Sequence, residues 1–301
     1  MKPTLVILAA GMGSRYGGLK QMDPMDQFGS AILDFSVFDA IKAGFEDVIF
    51  IIKKEIEEDF KNLVGKRIEK AIRVRYAYQE LYKLPEEIEI PKDRVKPWGT
   101  AHAVMCAADM IEDQFVVLNC DDFYCDTAFK LAFDFLSTHH GANEHAIIGY
   151  KLMETLTDNG SVNRGVCQVK DGKLITIHER LGIVKTQGGA AYPDASGELI
   201  ELPPESTVSM NFWAFNHGIL DEIIRETPKF LNENIVKNPL KCEDHLPEAV
   251  RRALEAGRLT VDVLISPDKW IGVTHKDDKP GVVKAICDMR EKGLYPSPLW
   301  K

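Results

Sequence analysis

The 301-residue chain holds six cysteines, Cys106, Cys120, Cys125, Cys167, Cys242 and Cys287, but no Cys-x-x-Cys pair among them. Thiols so scattered form neither a disulfide frame nor a zinc ribbon. Several fall inside apolar runs, where cysteine packs as a small hydrophobe, so reduced thiols and a cytoplasmic location are expected. No apolar run approaches the ~20 residues of a membrane span. The opening Lys2, short apolar run and Ala9-Ala10 superficially suggest a secretory leader. That run is shorter than a leader's apolar region and leads straight into a glycine-arginine loop, which points to a buried first strand. Positive charge is in deficit: 37 Lys and Arg against 46 Asp and Glu give a net charge of -9. An acidic chain suits a polyanion poorly, so nucleic acid is not expected as partner. There is no internal repeat, low-complexity tract or clean linker, and 45% hydrophobic content is ample for a core. One domain over 1–301 is the expectation.

What is present is an alternation of short apolar runs with helical patterns. TLVILAA, DVIFIIK, IRVRYAYQ, QFVVLNC and HAIIGYKL read as strands. Between them, SAILDFSVFDAIKAG, KEIEEDFKNLV, GTAHAVMCAADMI and DTAFKLAFDFLSTH read as helices, the first with a Ser30 cap and a closing Gly44. Uninterrupted apolar strands separated by helices imply a parallel sheet covered on both faces. Further on, GVCQVKDGKLITIHER reads as a hairpin turned at Asp171-Gly172. A looser stretch is expected from Leu181 to Glu205, then a strand TVSMNFWAF, a helix around GILDEIIRE, a helix EDHLPEAVRRALEAG, a strand RLTVDVLIS and a last helix KPGVVKAICDMREKG. The fold class is α/β: a Rossmann-like, three-layer, mostly parallel sheet with an antiparallel hairpin insertion over its carboxyl edge. Ligands bind at that edge in such folds.

The loop after the first strand carries Gly11, Gly13, Gly17 and Gly18, with Arg15 and Lys20 among them. It is not a dinucleotide fingerprint, because Tyr16 stands where the third glycine belongs. It is not a Walker loop either, because Leu19 intervenes and Gln21 follows Lys20. What remains is a glycine turn whose N–H groups can meet an anion, with one planar and one compact cation beside it. That combination suits a triphosphate. NCDDFY ends an apolar strand, which would bring Asp121 or Asp122 to the carboxyl edge; the plainer reading makes both aspartates caps for the following helix. Gln79 ends the third strand with a donor and an acceptor able to read a base edge, or is a surface amide. Gly99 and Thr100 begin a helix whose exposed N–H groups could meet base or sugar. His139, His140 and His145 lack partners at metal spacing and read as helix-end and loop residues.

Together these segments resemble the sugar-phosphate nucleotidyltransferases, the nucleoside-diphosphate-sugar pyrophosphorylases. LAAGMGSR resembles their signature. PWGTAHAV, VVLNCDDFY, ITIHER and VSMNFWAF resemble later family segments in the right order, over roughly residues 1–250. The resemblance implies a nucleotide-diphospho-sugar transferase fold with a nucleotide-binding half over about 1–145 and a sugar-phosphate-binding half over about 146–301. It implies Mg²⁺-dependent transfer of a nucleotidyl group from a nucleoside triphosphate, a pyrimidine one, to a sugar 1-phosphate. Nucleotide contacts would come from Ala9, Ala10, Gly11, Gly13, Ser14, Gln79, Gly99 and Thr100, and catalysis from Arg15, Lys20 and Asp121. Asp121 would hold the metal with Glu243 or Asp244; those two read on their own as acids at a helix start. Glu179 would meet sugar hydroxyls and Arg180 the sugar phosphate, with Gly149 and Asn211 nearby. The chain departs from the pattern at three places. Lys20 lies closer to Arg15 than usual, which leaves the base open. Cys120 and Arg180 stand where Gly and Lys are usual. The appended hexapeptide β-helix of some members is not expected. Two other functions fit the residues: a cytidylyltransferase for a non-sugar phosphate, and a silent regulatory subunit that only binds nucleotide. An oligomer of identical chains stays open.

Overall fold

The computed structural model describes residues 2–11, 22–273 and 276–300. Strand β1 (Thr4–Leu8) leads to helix α1 (Ile32–Ala43), then β2 (Asp47–Ile52). An irregular helical stretch follows: α2 (Glu57–Phe60), a π turn (Lys61–Gly65) and α3 (Lys66–Ile68). Next come β3 (Arg73–Tyr78), α4 (Thr100–Met105), β4 (Phe115–Asn119), the short β5 (Asp122–Phe123), α5 (Asp126–Thr138) and β6 (Glu144–Lys151). The second half holds β7 (Val162–Lys170), β8 (Lys173–Thr186), β9 (Gly189–Pro193), β10 (Leu199–Leu202), β11 (Thr207–Phe215), α6 (Gly218–Ile235), α7 (Leu246–Glu255), β12 (Thr260–Ile265), β13 (Ile271–Gly272) and α8 (Lys279–Glu291).

The main sheet runs β10-β9-β8-β12-β6-β11-β4-β1-β2-β3, with β7 beside β11 and β8. The neighbours β3-β2-β1-β4 are parallel. β2, β1 and β4 are apolar on both faces because each face is covered, whereas β3, at the sheet edge, carries Arg73 and Arg75 and is mostly half-buried. In β1, Leu5 and Ile7 join the cluster under α1 and α5, while Val6 and Leu8 join the cluster under α4, α6 and α7. The period of two distributes β2 and β4 in the same way.

Some local expectations need correction. The cap of α1 is Ala31, not Ser30; the Asp34 carboxylate three residues on accepts the Ala31 N–H at 2.8 Å. Gly44 does close the helix, at φ 114°. The helix expected from Thr127 is capped at Cys125, so neither Asp121 nor Asp122 caps it. Residues 181–205 are not loose: β8 continues to Thr186 and pairs with β9, which pairs with β10. Gly188-Gly189 and the Asp194–Gly197 turn are hairpin signals rather than loop markers, since Asp194 accepts the N–H groups of Ser196 and Glu198. His145 is a core residue of β6, 1% exposed.

Candidate active site

The carboxyl ends of β1, β4, β2 and β3 meet on one edge. At the end of β1, Ala9 and Ala10 are buried, and the Ala9 N–H donates to the Ile51 carbonyl at 2.8 Å. Gly11 follows, exposed, with none of the described residues within 4 Å of where a Cβ would stand. Gly13, Ser14, Arg15 and Lys20 lie outside the described residues.

At the end of β4, Asp121 is half-buried in a turn and Asp122 is buried in β5. A line of hydrogen bonds fixes Asp122. Trp213 Nε1 donates to Asn211 Oδ1 at 2.9 Å, Asn211 Nδ2 to Asn119 Oδ1 at 2.8 Å, and Asn119 Nδ2 to Asp122 Oδ2 at 2.8 Å. The Tyr124 hydroxyl lies 3.1 Å from the same carboxylate oxygen. Asn211 can take part because a bulge in β11 holds it at φ 59°, a left-handed conformation that asparagine tolerates. Asp122 is therefore held inside the protein, while Asp121 beside it is the more accessible carboxylate.

Close to this edge, within charge interaction of Asp122, stands the β7–β8 hairpin. Arg164 is buried there, its Nε and Nη2 donating to Thr155 at 3.2 and 2.5 Å and its Nη1 to the Asn163 carbonyl at 2.8 Å. The guanidinium lies 4.8 Å from the Trp270 ring. Burial lowers its pKa, and the nearby charges of Asp122, Glu179 and Asp278 oppose that. Glu179 is open to solvent yet closely walled, so desolvation raises its carboxyl pKa, with Arg164 acting the other way. The structure splits the expected Glu179–Arg180 pair. Consecutive strand residues leave opposite faces, and Arg180 lies over the Tyr192 ring at 4.8 Å. Gly149 is a packing residue within β6: a Cβ there would come within 2.6 Å of the Thr207 side chain.

On the β3 side a cavity of about 440 Å³ is lined by Lys53, Gln79, Arg94, Trp98 and His102, among others. Gln79 is not a surface amide but 7% exposed; its Nε2 donates to the Gly99 carbonyl at 2.8 Å and lies 3.3 Å from His102 Nδ1. Gly99 stands at φ 100° hard against the Asp244 backbone. The Thr100 hydroxyl accepts the Leu246 N–H at 2.8 Å, which makes Thr100 a cap of α7. Asp244 is fully buried. Its carboxylate accepts from Arg252 Nη2 at 2.9 and 2.8 Å and from the Thr227 hydroxyl at 2.8 Å. Those bonds commit it to joining α6 and α7 rather than to a cation. Glu243 pairs with Lys96. Among the described residues no group of three His, Cys, Asp or Glu could hold a metal. Asp121 alone still fits Mg²⁺, which takes one or two carboxylates and completes its shell with substrate phosphates and water.

Arg164, Asn119, Tyr124 and His102 were missed by sequence reasoning. Asn119 left a signal, as the polar residue ending an apolar strand. So did Arg164, a charge beside Gly165 at the start of a hairpin strand.

The profile of the nucleotidyl transferase family matches residues 4–278. The chain belongs to that family. This nucleotidyl transferase is 33% identical over 138 residues, 44% of its length, to the bifunctional protein GlmU of Caldicellulosiruptor saccharolyticus. It is 27% identical over 235 residues, 76% of its length, to the low-salt glycan biosynthesis nucleotidyltransferase Agl11 of Haloferax volcanii. It spans 25% of the first relative and 53% of the second. Against the UTP–glucose-1-phosphate uridylyltransferase YngB of Bacillus subtilis the identity is 23%, over 82% of this chain and 78% of that one. Two solved structures share the fold. The inositol-1-phosphate CTP transferase of T. maritima superposes with TM-score 0.61 at 13% identity, over 96% and 97% of the two chains. A UDP-glucose pyrophosphorylase complexed with UDP-glucose gives 0.60 at 14% identity, over 96% and 99%. No described helix of this nucleotidyl transferase is long and apolar enough to cross a membrane.

Proposed function

We propose that the chain transfers a nucleotidyl group from a nucleoside triphosphate to a sugar 1-phosphate. What carries the reading is the hydrogen-bonded line from Trp213 through Asn211 and Asn119 to Asp122, beside which Asp121 is the more exposed carboxylate just after β4, the strand paired with β1. The names of the uridylyltransferase and glycan-biosynthesis relatives support the substrate class. An oxygen of the acceptor phosphate attacks the α-phosphorus in line, the bond from that phosphorus to the bridging oxygen breaks, and pyrophosphate leaves with the electron pair. Such transfer needs positioning and charge neutralisation more than covalent help. Glu179 binds acceptor hydroxyls, Arg164 sets a positive charge near it, Arg15 and Lys20 neutralise the triphosphate, and the residues of the β3-side cavity hold the base. Mg²⁺, held by Asp121, would supply the charge that lets two anions approach; unshielded, two unit charges 4 Å apart repel by about 4 kcal/mol at an effective dielectric of ~20.

A second reading is cytidylyl transfer to a polyol phosphate, which the superposition on the inositol-1-phosphate CTP transferase favours. One experiment separates the two: purified protein is screened with each nucleoside triphosphate against glucose 1-phosphate, other sugar 1-phosphates and inositol 1-phosphate, reading pyrophosphate release. Release with sugar phosphates supports the first reading, release only with CTP and inositol phosphate the second, and no release with any pair overturns both.

A further inference from the structure

The orientation of the Gln79 amide follows from its partners alone. The Gly99 carbonyl can only accept, so the group 2.8 Å from it is the Gln79 NH₂, not its oxygen. The Lys83 carbonyl, 2.8 Å from His102 Nε2, can only accept too, so Nε2 carries a proton. His102 is fully buried, and burial lowers its pKa to about 4, so the ring is neutral and Nδ1 is a bare acceptor. That acceptor takes the second Gln79 N–H at 3.3 Å. Cys106, whose thiol burial keeps protonated, lies 3.8 Å from Nδ1 and 3.5 Å from Nε2; a thiol is a weak donor, so the Gln79 N–H at 3.3 Å is the stronger partner of Nδ1. Both amide protons of Gln79 are thus used inside the protein. Its Oε1 accepts no hydrogen bond from the described residues and is not among the sealed, unpartnered atoms, and Gln79 lines the cavity.

We propose that His102 is a positioning residue that locks the Gln79 amide with Oε1 toward the cavity, so that the chain selects a donor base presenting a ring N–H, uracil or thymine, over cytosine. The proposal rests on the base occupying this cavity. A free glutamine could rotate and read either kind of edge. A locked one meets the imide N–H of uracil favourably and the bare ring nitrogen of cytosine with two lone pairs facing. Leaving that pair unmade should separate the two bases by about tenfold or more in affinity.

The test uses the full-length protein and calorimetric titration with UTP and CTP, without acceptor. The wild type is expected to prefer UTP by at least about tenfold. His102→Phe keeps a ring but frees the amide, and the preference should fall to within about threefold through tighter CTP binding. His102→Asn, with an oxygen near the Nδ1 position, should restore much of it. Nitrogen-15 spectra of the wild-type imidazole need no variant and should show a proton on Nε2 and none on Nδ1. A proton on Nδ1, a wild-type preference for CTP, or a UTP preference that survives in His102→Phe would each overturn the lock. Gln79→Ala distinguishes failure of the underlying reading: if it changes the affinity of neither nucleotide, the base lies elsewhere and the selection falls with it.

Discussion

Asp121 and Asp122 are chain neighbours with unlike surroundings, and their substitutions should fail in different ways. Asp121→Asn removes the accessible charge while keeping the shape, so turnover should fall by orders of magnitude with the urea midpoint little changed. Asp122→Asn changes a buried acceptor of Asn119 and takes a negative charge from beside Arg164. It should cost about 1–3 kcal/mol of stability with a smaller loss of turnover. Near-normal turnover in Asp121→Asn at sub-millimolar Mg²⁺ would contradict the assignment. Asp39, in the buried face of α1, makes a pH prediction. Desolvation, with Asp126 and Asp268 adding to it, raises its pKa from 3.8 to about 7, although the Tyr295 hydroxyl donates to it at 2.6 Å. Between those values the folded chain holds a proton that the unfolded chain has released. Its contribution to stability is therefore complete below about pH 4, declines as pH rises toward 7, and is gone above that, with a slope of at most about 1.4 kcal/mol per pH unit. Asp39→Asn should remove that decline, measured as the difference in unfolding free energy between pH 5 and pH 8; an unchanged difference would show that Asp39 ionises normally.

Helices α4, α6 and α7 are clasped at one point. The Asp244 N–H donates to the Trp98 carbonyl at 2.8 Å, its carbonyl accepts the Ala101 N–H at 3.0 Å, and its carboxylate holds Arg252 and Thr227. Gly99 is the only residue type that fits there, since a Cβ would come closer than 3.0 Å to backbone atoms at an already left-handed φ. Gly99→Ala should destabilise by about 2–4 kcal/mol in urea melts and raise the KM for nucleotide, because the Gln79 amide donates to the Gly99 carbonyl. Periodicity made most elements legible. The Asp171-Gly172 turn announced its hairpin, and both residues do take positive φ, 52° and 76°. Ligand roles were less legible because they depend on distant partners. Nothing within EDHLPEAV says that Arg252 and Thr227 will take up the Asp244 carboxylate, and nothing in SVNRGV says that Trp270 will cover Arg164. Glu179-Arg180 was an oversight of a local rule, since strand alternation already sets the two on opposite faces.

Across the whole molecule, the sheet order shows what a local pattern cannot. β11 inserts antiparallel between β4 and β6, and β12 inserts between β6 and β8, so strands successive in the chain are separated in space. The carboxyl-terminal helix α8 and the residues after it cover a small core of their own around Ile32, Phe35, Phe123 and Tyr295. They also grip the segment that follows the glycine loop: Lys279 Nζ lies 2.8 Å from both Asp23 oxygens, and Arg290 Nη2 lies 2.6 Å from Asp26 Oδ2. The Arg290–Asp26 pair is largely buried. Arg290→Ala should lower stability by about 2–3 kcal/mol, the Ser30 and Phe28 N–H groups still holding the orphaned carboxylate, and a urea midpoint equal to wild type would rule that out. These grips join residues 256 and 264 positions apart. On a ribosome adding ~5–20 residues per second, the segment beside the first strand emerges roughly 12–50 s before its clamps are made. The loop's shoulder, synthesised long before its clamps, is then among the last parts of the fold to be fastened, so newly made chains should gain activity later than their parallel strands gain resistance to protease.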